Sequence, residues 1–338
     1  MRYLLFMVSL LLFEGVFFVQ SFAYEAGEVV YAHVDRLRVR DRAGFEGEVV
    51  GQVYELWAMV FTGEASDFRS EVTLRDVRYH EPWLKVRCGD LEGWVFGGGV
   101  SNDPKVLGSN VFGEGEIRLI EECRRKFGGR FGHSAEVKEL FDYVQEEIRP
   151  QLNEAVLRYY ANWVKVHPNI VRKPSFDWFE GYVSGLRVGN LDRDYDDVMA
   201  LAYKDFETLA KQSIEKDDDD FVAFHCLQYP DGCVETEFYY WLDAPRDQAV
   251  QSLLGSGRHL AVLKQLYVNR ENSSLFRPYY DGLHGYVIDD ICYTHESDMG
   301  SFRYSKAKCL EEVEQILRLS GLSSSDRSCI EGAIDAWE

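Results

Sequence analysis

The stretch Glu81–Val100 reads EPWLKVRCGDLEGWVFGGGV. Trp83 and Trp94 lie on either side of Gly89-Asp90, a turn-forming pair, and Gly93 directly precedes the second tryptophan. Trp83–Arg87 and Trp94–Phe96 are rich in residues that suit a pleated surface, so two strands joined by a tight turn are predicted. In that hairpin Gly93 permits the return, and Trp94 packs inward against Leu37, Val39 and Val86. Trp83 opens the partner strand, where it serves either as core or rim packing or as part of a recognition surface.

The segments upstream follow the same rhythm. Arg36-Leu37-Arg38-Val39-Arg40 alternates strictly, which sets Leu37 and Val39 on one side and the arginines on the other. Val49–Val53 follows a glycine-containing turn, and Trp57–Thr62 is a further β-rich run. Short strands divided by Gly/Asp turns predict a small barrel or sandwich over residues 24–101.

Leu37-Arg38-Val39-Arg40, Val50-Gly51, Trp83-Leu84-Lys85-Val86, Gly93-Trp94-Val95 and Val100-Ser101 resemble, in this order, the motifs of bacterial SH3-like (SH3b) domains. The resemblance covers less than a quarter of the chain. It implies a small all-β SH3-like barrel that acts as an adaptor, with a cell-wall peptide or an envelope protein as its partner. Two departures touch the loops: Asp41–Gly44 stands where the family has Gly-Pro, and Ser66–His80 is longer and more charged than the usual loop. Arg36, Arg38, Arg40 and Arg42 form a local basic stripe. A solvated face balanced by acidic neighbours is one account of it; a contact surface for a carboxylate-bearing partner is the other. Arg36, Arg38, Arg40 and Trp83 are therefore the candidate binding residues.

Ser101–Gly115 is rich in Gly, Ser, Asn and Asp and reads as a linker, with residues 102–115 joining the two domains. Residues 116–338 read as a mainly helical (α+β) domain with a small β-hairpin. Ser134 is a predicted N-cap for a helix burying Val137, Leu140, Phe141, Val144 and Ile148, and Pro150 kinks or restarts it. Asp194–Ile214 is a predicted helix and Glu215–Asp220 a solvated charged loop. Phe221–Trp241 is a predicted hairpin about Tyr229-Pro230-Asp231-Gly232. Its register places Cys226 opposite Thr236, makes His225 and Glu237 neighbours, and argues against a Cys226–Cys233 disulfide. Arg246–Leu266, interrupted at Gly255–Gly257, Ser305–Leu319 and Ser324–Trp337 supply further helices. The fold class is thus multidomain: an SH3-like barrel followed by a mainly helical domain.

The 338-residue chain has a formal net charge of −20. Such a chain is repelled by phosphate backbones and anionic lipid, so neither nucleic acid nor a membrane surface is an expected partner. Residues 1–23 combine Arg2, the apolar run Leu4–Phe13 and a small residue at Ala23, the pattern of a cleaved signal peptide. Glu14 speaks against an anchor, since a carboxylate in mid-bilayer costs ~2.5–3.5 kcal/mol. A periplasmic or secreted protein with no integral membrane segment after cleavage is expected. The seven cysteines fit either a disulfide framework with an odd thiol or buried small apolar residues.

No motif carries chemistry decisively. Asp192–Asp197 lacks the glycine and the distal acid of a calcium loop. Gly97–Gly99 lacks the Lys-Ser/Thr and helix of a phosphate loop. His284, Asp289, Asp290, Cys292, His295 and Glu296 form the densest reactive set. Of these, His284, Cys292 and His295 are the candidates for a Cys/His hydrolase, yet no Asp-Cys-Ser-Gly stretch is present and no histidine follows His295. No zinc-type spacing occurs, and no cofactor or metal is expected. The leading expectation is an exported, non-enzymatic binding protein of the envelope. The alternative is an envelope hydrolase with the barrel as its targeting module.

Overall fold

The computed structural model describes residues 24–74, 76–189, 198–229, 232–235, 252–297 and 304–337. Two compact units emerge: residues up to Val53 with Ala58–Val100, and Tyr54–Trp57 with everything from Ser101 onward. The expected signal segment lies outside the described residues.

The first unit is a single antiparallel sheet of β1 (Val29–Ala32), β2 (Leu37–Arg40), β3 (Val49–Val53), β4 (Ala58–Leu74), β5 (Val77–Cys88), β6 (Leu91–Phe96) and β7 (Val100–Ser101). Its spatial order is β3-β2-β6-β5-β4-β1-β7, so seven strands form a curled half-barrel. The expected small SH3-like barrel is corrected on this point. The segment Ser66–His80, read as a long charged loop, instead lengthens β4 and β5 into one extended hairpin, with pairs running from Val60↔Arg87 to Leu74↔Val77. Alternation through Val72, Leu74 and Tyr79 favours strand, and the charges occupy the other face.

One face of this sheet buries Leu37, Val39, Met59, Phe61, Leu84, Val86 and Val95. Gly93 is paired with Val86, and a Cβ there would lie 2.5 Å from the Arg40 carbonyl oxygen and 2.7 Å from a Val39 methyl. Only glycine fits so close a backbone approach. The inward position of β6 is therefore taken by Gly93 and Val95. Trp94 turns to the opposite face, half-buried, across from Arg40 and Lys85. The expected inward packing of Trp94 is reversed: Trp83 is the deeply buried tryptophan, 2% exposed.

The second unit begins with α1 (Pro104–Val111), α2 (Glu114–Phe127), α3 (Ser134–Tyr143) and α4 (Arg149–Val166). The stretch read as a linker thus contains α1, whose Leu107 and Val111 are buried and whose first turn is capped by Asp103. A π-helical turn at Val144–Ile148 separates α3 from α4, and Pro150 lies in the first turn of α4, where its missing N–H costs nothing. After a 3-10 turn at Asp177–Phe179 come the antiparallel pair β8 (Leu186–Gly189) and β9 (Val198–Leu201), then α5 (Tyr203–Ala210) and α6 (Asp217–Gln228). The remaining helices are α7 (Arg258–Asn272), α8 (Arg277–Ser297), α9 (Lys306–Ile316) and α10 (Ser324–Trp337).

Four expectations are overturned in this unit. Val198–Leu201, expected within a helix, is a strand. Glu215–Asp220 is no free loop: Asp217–Asp220 form the first turn of α6, where four carboxylates face the positive end of the helix. Phe221–Gln228, expected as the first arm of a hairpin, completes α6, burying Asp218, Phe221, Val222, Phe224, His225 and Gln228 at helical spacing. Phe221 stacks on Phe276 at 4.2 Å and meets Phe141 edge-on at 5.0 Å. That packing is available to a helix with a continuous inner face. Cys226 and Cys233, excluded from pairing by the hairpin register, form a disulfide. No helix among the described residues is long and apolar enough to cross a membrane.

Candidate functional site

The candidate binding residues of the sheet unit are largely occupied by the sheet itself. Arg36 precedes β2 with φ of 52° and pairs with Asp35 at 3.5 Å. Arg38 is exposed, opposite Gln52. Arg40 donates from Nη1 to the carbonyl oxygens of Phe45, at 3.1 Å, and Gly47, at 2.5 Å. Arg42 donates to the Glu46 carbonyl at 2.9 Å. Two of the four arginines thus fold the loop between β2 and β3 rather than await a partner. That loop lays Phe45 edge-on over Trp83 at 5.3 Å, while the Trp83 indole N–H donates to Ser70 Oγ at 2.8 Å. Trp83 is the buried floor of a small aromatic cluster with Phe96 and Phe45.

The hydrolase candidates are also committed elsewhere. Cys292 is bonded to Cys329 of α10, so its sulfur offers no thiolate. The His284 ring nitrogen lies 3.1 Å from the Tyr267 hydroxyl, and burial holds its pKa below the usual imidazole value. The His295 side chain lies outside the described residues, as do Asp192–Asp197 and Glu237. Asp290 is engaged by groups the sequence did not bring together: it accepts from Ser252 Oγ at 2.8 Å and lies 2.5 Å from Nε2 of the fully buried His259. The remaining free cysteines, Cys88, Cys123 and Cys309, are all buried. Burial raises the Cys123 thiol to about 12 and that of Cys309 to about 11, far from a reactive thiolate.

A different site is assembled in the second unit. An open cleft of about 800 Å³ lies among the turn at Asp177–Gly181, the β8–β9 pair, the first turns of α5 and the segment Gly232–Val234. Among its lining residues Asp177 and Glu180 are exposed, Lys204 is exposed at the start of α5, and Arg187 is half-buried on β8. Arg187 is held in place, with its guanidinium 2.9 Å from Asp205 Oδ1 and 3.9 Å from Glu180. Asp205 is itself pinned, its other oxygen accepting from the Gly185 N–H at 2.8 Å. Gly185 has φ of 85°, and a Cβ there would strike the Phe127 ring at 2.6 Å, so glycine is required for this closure. The disulfide Cys226–Cys233 ties the segment bearing Gly232 and Val234 to the end of α6. Phe127, Val188, Ala202 and Leu209 supply an apolar floor.

The cleft thus carries three acidic side chains, Asp177, Glu180 and Asp205, and two basic ones, Arg187 and Lys204, above an apolar floor. That is the composition of a site that orients a small ligand by a few polar groups. Sequence reading missed it because its members are scattered from Phe127 to Val234. The one local signal was Arg187, a lone cation inside the apolar run Val183–Val188. Among the described residues no group of three or more His, Cys, Asp or Glu side chains is arranged to hold a metal. No protein-family model matches this chain, and no curated protein or solved structure is similar to it.

Proposed function

We propose that this is an exported binding protein whose helical unit holds a short peptide with free ends. The observation that carries the reading is that Lys204 and Arg187 line one cleft together with Asp177, Glu180 and Asp205, the last of which is ion-paired with Arg187. A ligand with one carboxylate and one ammonium end satisfies both sets, whereas a purely anionic ligand meets the three acids of the cleft and the net charge of −20. Cell-wall stem peptides have this mixed character, which keeps the partner implied by the SH3b-like motifs while moving it from the sheet to the cleft. The bridges Cys226–Cys233 and Cys292–Cys329 support export, because disulfides persist in oxidising compartments. Binding is favoured over hydrolysis because Cys292, the expected nucleophile, is bonded to Cys329.

Titration calorimetry of the purified protein with an unblocked tetrapeptide, its N-acetyl form and its C-terminal amide tests the reading. The unblocked peptide binds, and each blocked form binds about tenfold more weakly, the effect of losing one charge-assisted hydrogen bond. Lys204→Met removes the preference for a free carboxylate and leaves the preference for a free amine. Equal affinity for all three peptides, or no binding to any, overturns the proposal.

A further inference from the structure

One wall of the cleft is fastened by a disulfide. Gly232 and Val234 line the cleft, and Cys233 between them is bonded to Cys226 near the end of α6. This wall meets the β8–β9 pair through two backbone hydrogen bonds. The Cys233 carbonyl accepts from the Tyr203 N–H at 2.8 Å, and the Glu235 N–H donates to the Leu201 carbonyl at 2.7 Å. Together they frame the antiparallel bridge between Ala202 and Val234. An ion pair of Glu235 with Arg149 on α4 adds to them.

Two such hydrogen bonds contribute little net stability, because each replaces bonds to water. The backbone of Cys233 works against them. Its φ is 55°, in the left-handed region that glycine enters freely and cysteine only under constraint. Gly232 beside it, with φ of 72°, is under no such strain. The bond to Cys226 supplies the constraint on Cys233. Its effect reaches a ligand-binding group: Tyr203 opens α5, and Lys204 follows it directly. An acceptor on the Tyr203 N–H therefore fixes the turn that carries Lys204. Both cysteines of this bridge are half-buried, within reach of a small thiol or disulfide, whereas Cys292 of the other bridge is 2% exposed.

We infer that the Cys226–Cys233 disulfide is a redox latch on the cleft: the wall at Gly232–Val234 is assembled when the bond is closed and comes away when both cysteines are thiols. The inference rests on the cleft being the ligand site. Closure takes a disulfide-bearing oxidant. The thiolate of one cysteine attacks the oxidant's S–S bond, forms a mixed disulfide and releases one thiol. The thiolate of the other cysteine attacks the mixed disulfide at the first cysteine's sulfur and expels the second thiol. The two cysteine protons end on the two released thiols, and the oxidant carries away both electrons. A chain among thiols is thus unlatched, and a chain in an oxidising compartment is competent to bind.

The test follows the full-length protein through glutathione buffers from oxidising to reducing. Alkylation read by mass spectrometry reports each bridge, hydrogen exchange reports the segment from residue 201 to 206, and calorimetry with the unblocked tetrapeptide reports binding. Cys226 and Cys233 become alkylated before Cys292 and Cys329. Over that step exchange at residues 201–206 rises about tenfold and affinity falls about tenfold, and both recover on reoxidation. The double variant C226S/C233S shows the unlatched values in every buffer of that step. Wild-type exchange and affinity that ignore the opening of Cys226–Cys233 overturn the inference. So does a loss of binding that sets in only when Cys292 and Cys329 open. A wild-type protein that binds no tetrapeptide in any buffer overturns the ligand reading alone. Exchange at residues 201–206 then decides the latch, supporting it by rising with reduction and overturning it by staying constant.

Discussion

In the sheet the buried side chains are apolar almost throughout, and the polar exceptions are His33, Ser66 and Ser101, all hydrogen-bonded. The helical unit buries Asp218, His225, Gln228, His259, Asn269 and Glu312 and carries both disulfides. Glu312 shows what this means locally. From α9 it accepts the N–H groups of Gly255, Gly257 and Leu260, at 2.6, 2.9 and 3.0 Å, and so caps α7 with a side chain more than fifty residues away in sequence. The sheet unit closes its backbone hydrogen bonds strand to strand, so a dry core suffices. The helical unit must satisfy helix ends and long connections, and it uses buried carboxylates and covalent ties. The first unit is expected to respond mainly to lost volume; the second responds to pH and redox state as well.

The largest contrast lies within the sheet unit. Trp83→Ala removes a fully packed ring and destabilises that unit by about 3–5 kcal/mol. Trp94→Ala changes a half-buried position and costs about 1 kcal/mol or less. Hydrogen exchange of the full-length protein, read separately over β5 and over α8, checks that the loss stays in the sheet. The two rings share a face of the sheet, so similar costs would erase the distinction between its buried and its half-buried position.

The next effect belongs to the helical unit alone. Cys292–Cys329 closes a loop of 37 residues. Replacing both cysteines by serine releases that constraint on the unfolded chain, for a loss of about 4 kcal/mol on the loop-entropy scale. Cys226–Cys233 closes only 7 residues. Its removal costs about 2 kcal/mol on the same scale. Reductant is expected to raise exchange in α6, α8 and α10 and to leave β2–β6 unchanged.

Acid gives a smaller and more local effect. His225 is stacked on Tyr203 at 4.0 Å, and neither ring nitrogen has a hydrogen-bond partner among the described residues. Burial pushes its pKa down from 6.5 to about 3. The unfolded chain takes up a proton below about pH 6.5 that the folded chain refuses, so stability is full above that pH and falls as pH drops toward 3. At pH 5 the loss is about 2 kcal/mol. His225→Phe keeps the stacked ring and is expected to flatten this dependence, measured as the denaturation midpoint from pH 7 to pH 5. An unchanged slope would place the acid sensitivity elsewhere.

Which parts were legible in sequence follows the range of the interactions that decide them. Strands at Leu37–Arg40, Val49–Val53 and Leu91–Phe96 announce themselves by alternation and turn residues, signals carried within five or six positions. The inner face of α3 is equally local, since Val137, Leu140 and Phe141 recur at helical spacing. Phe221–Gln228 was ambiguous by the same logic. Val222, Phe224 and Cys226 alternate, while Phe221, Phe224, His225 and Gln228 trace a helical face. The aromatic contacts of Phe221 with Phe141 and Phe276 decide for the helix, and they come from residues distant in the chain. Beyond the isolated cation Arg187 the cleft left no mark in the sequence, because Asp177, Arg187 and Lys204 acquire a common chemistry only when β8, β9 and α5 converge.

By itself, then, the sequence determined a β-rich first segment followed by a mainly helical remainder and a formal net charge of −20. Tertiary structure alone decided that seven strands remain an open half-barrel, that Trp83 rather than Trp94 is buried, and that Cys292 finds Cys329. The physical reason is one of distance. Backbone propensity and side-chain period act between near neighbours, whereas burial, pairing and sulfur chemistry depend on which distant surfaces meet, and many such meetings are compatible with one local pattern.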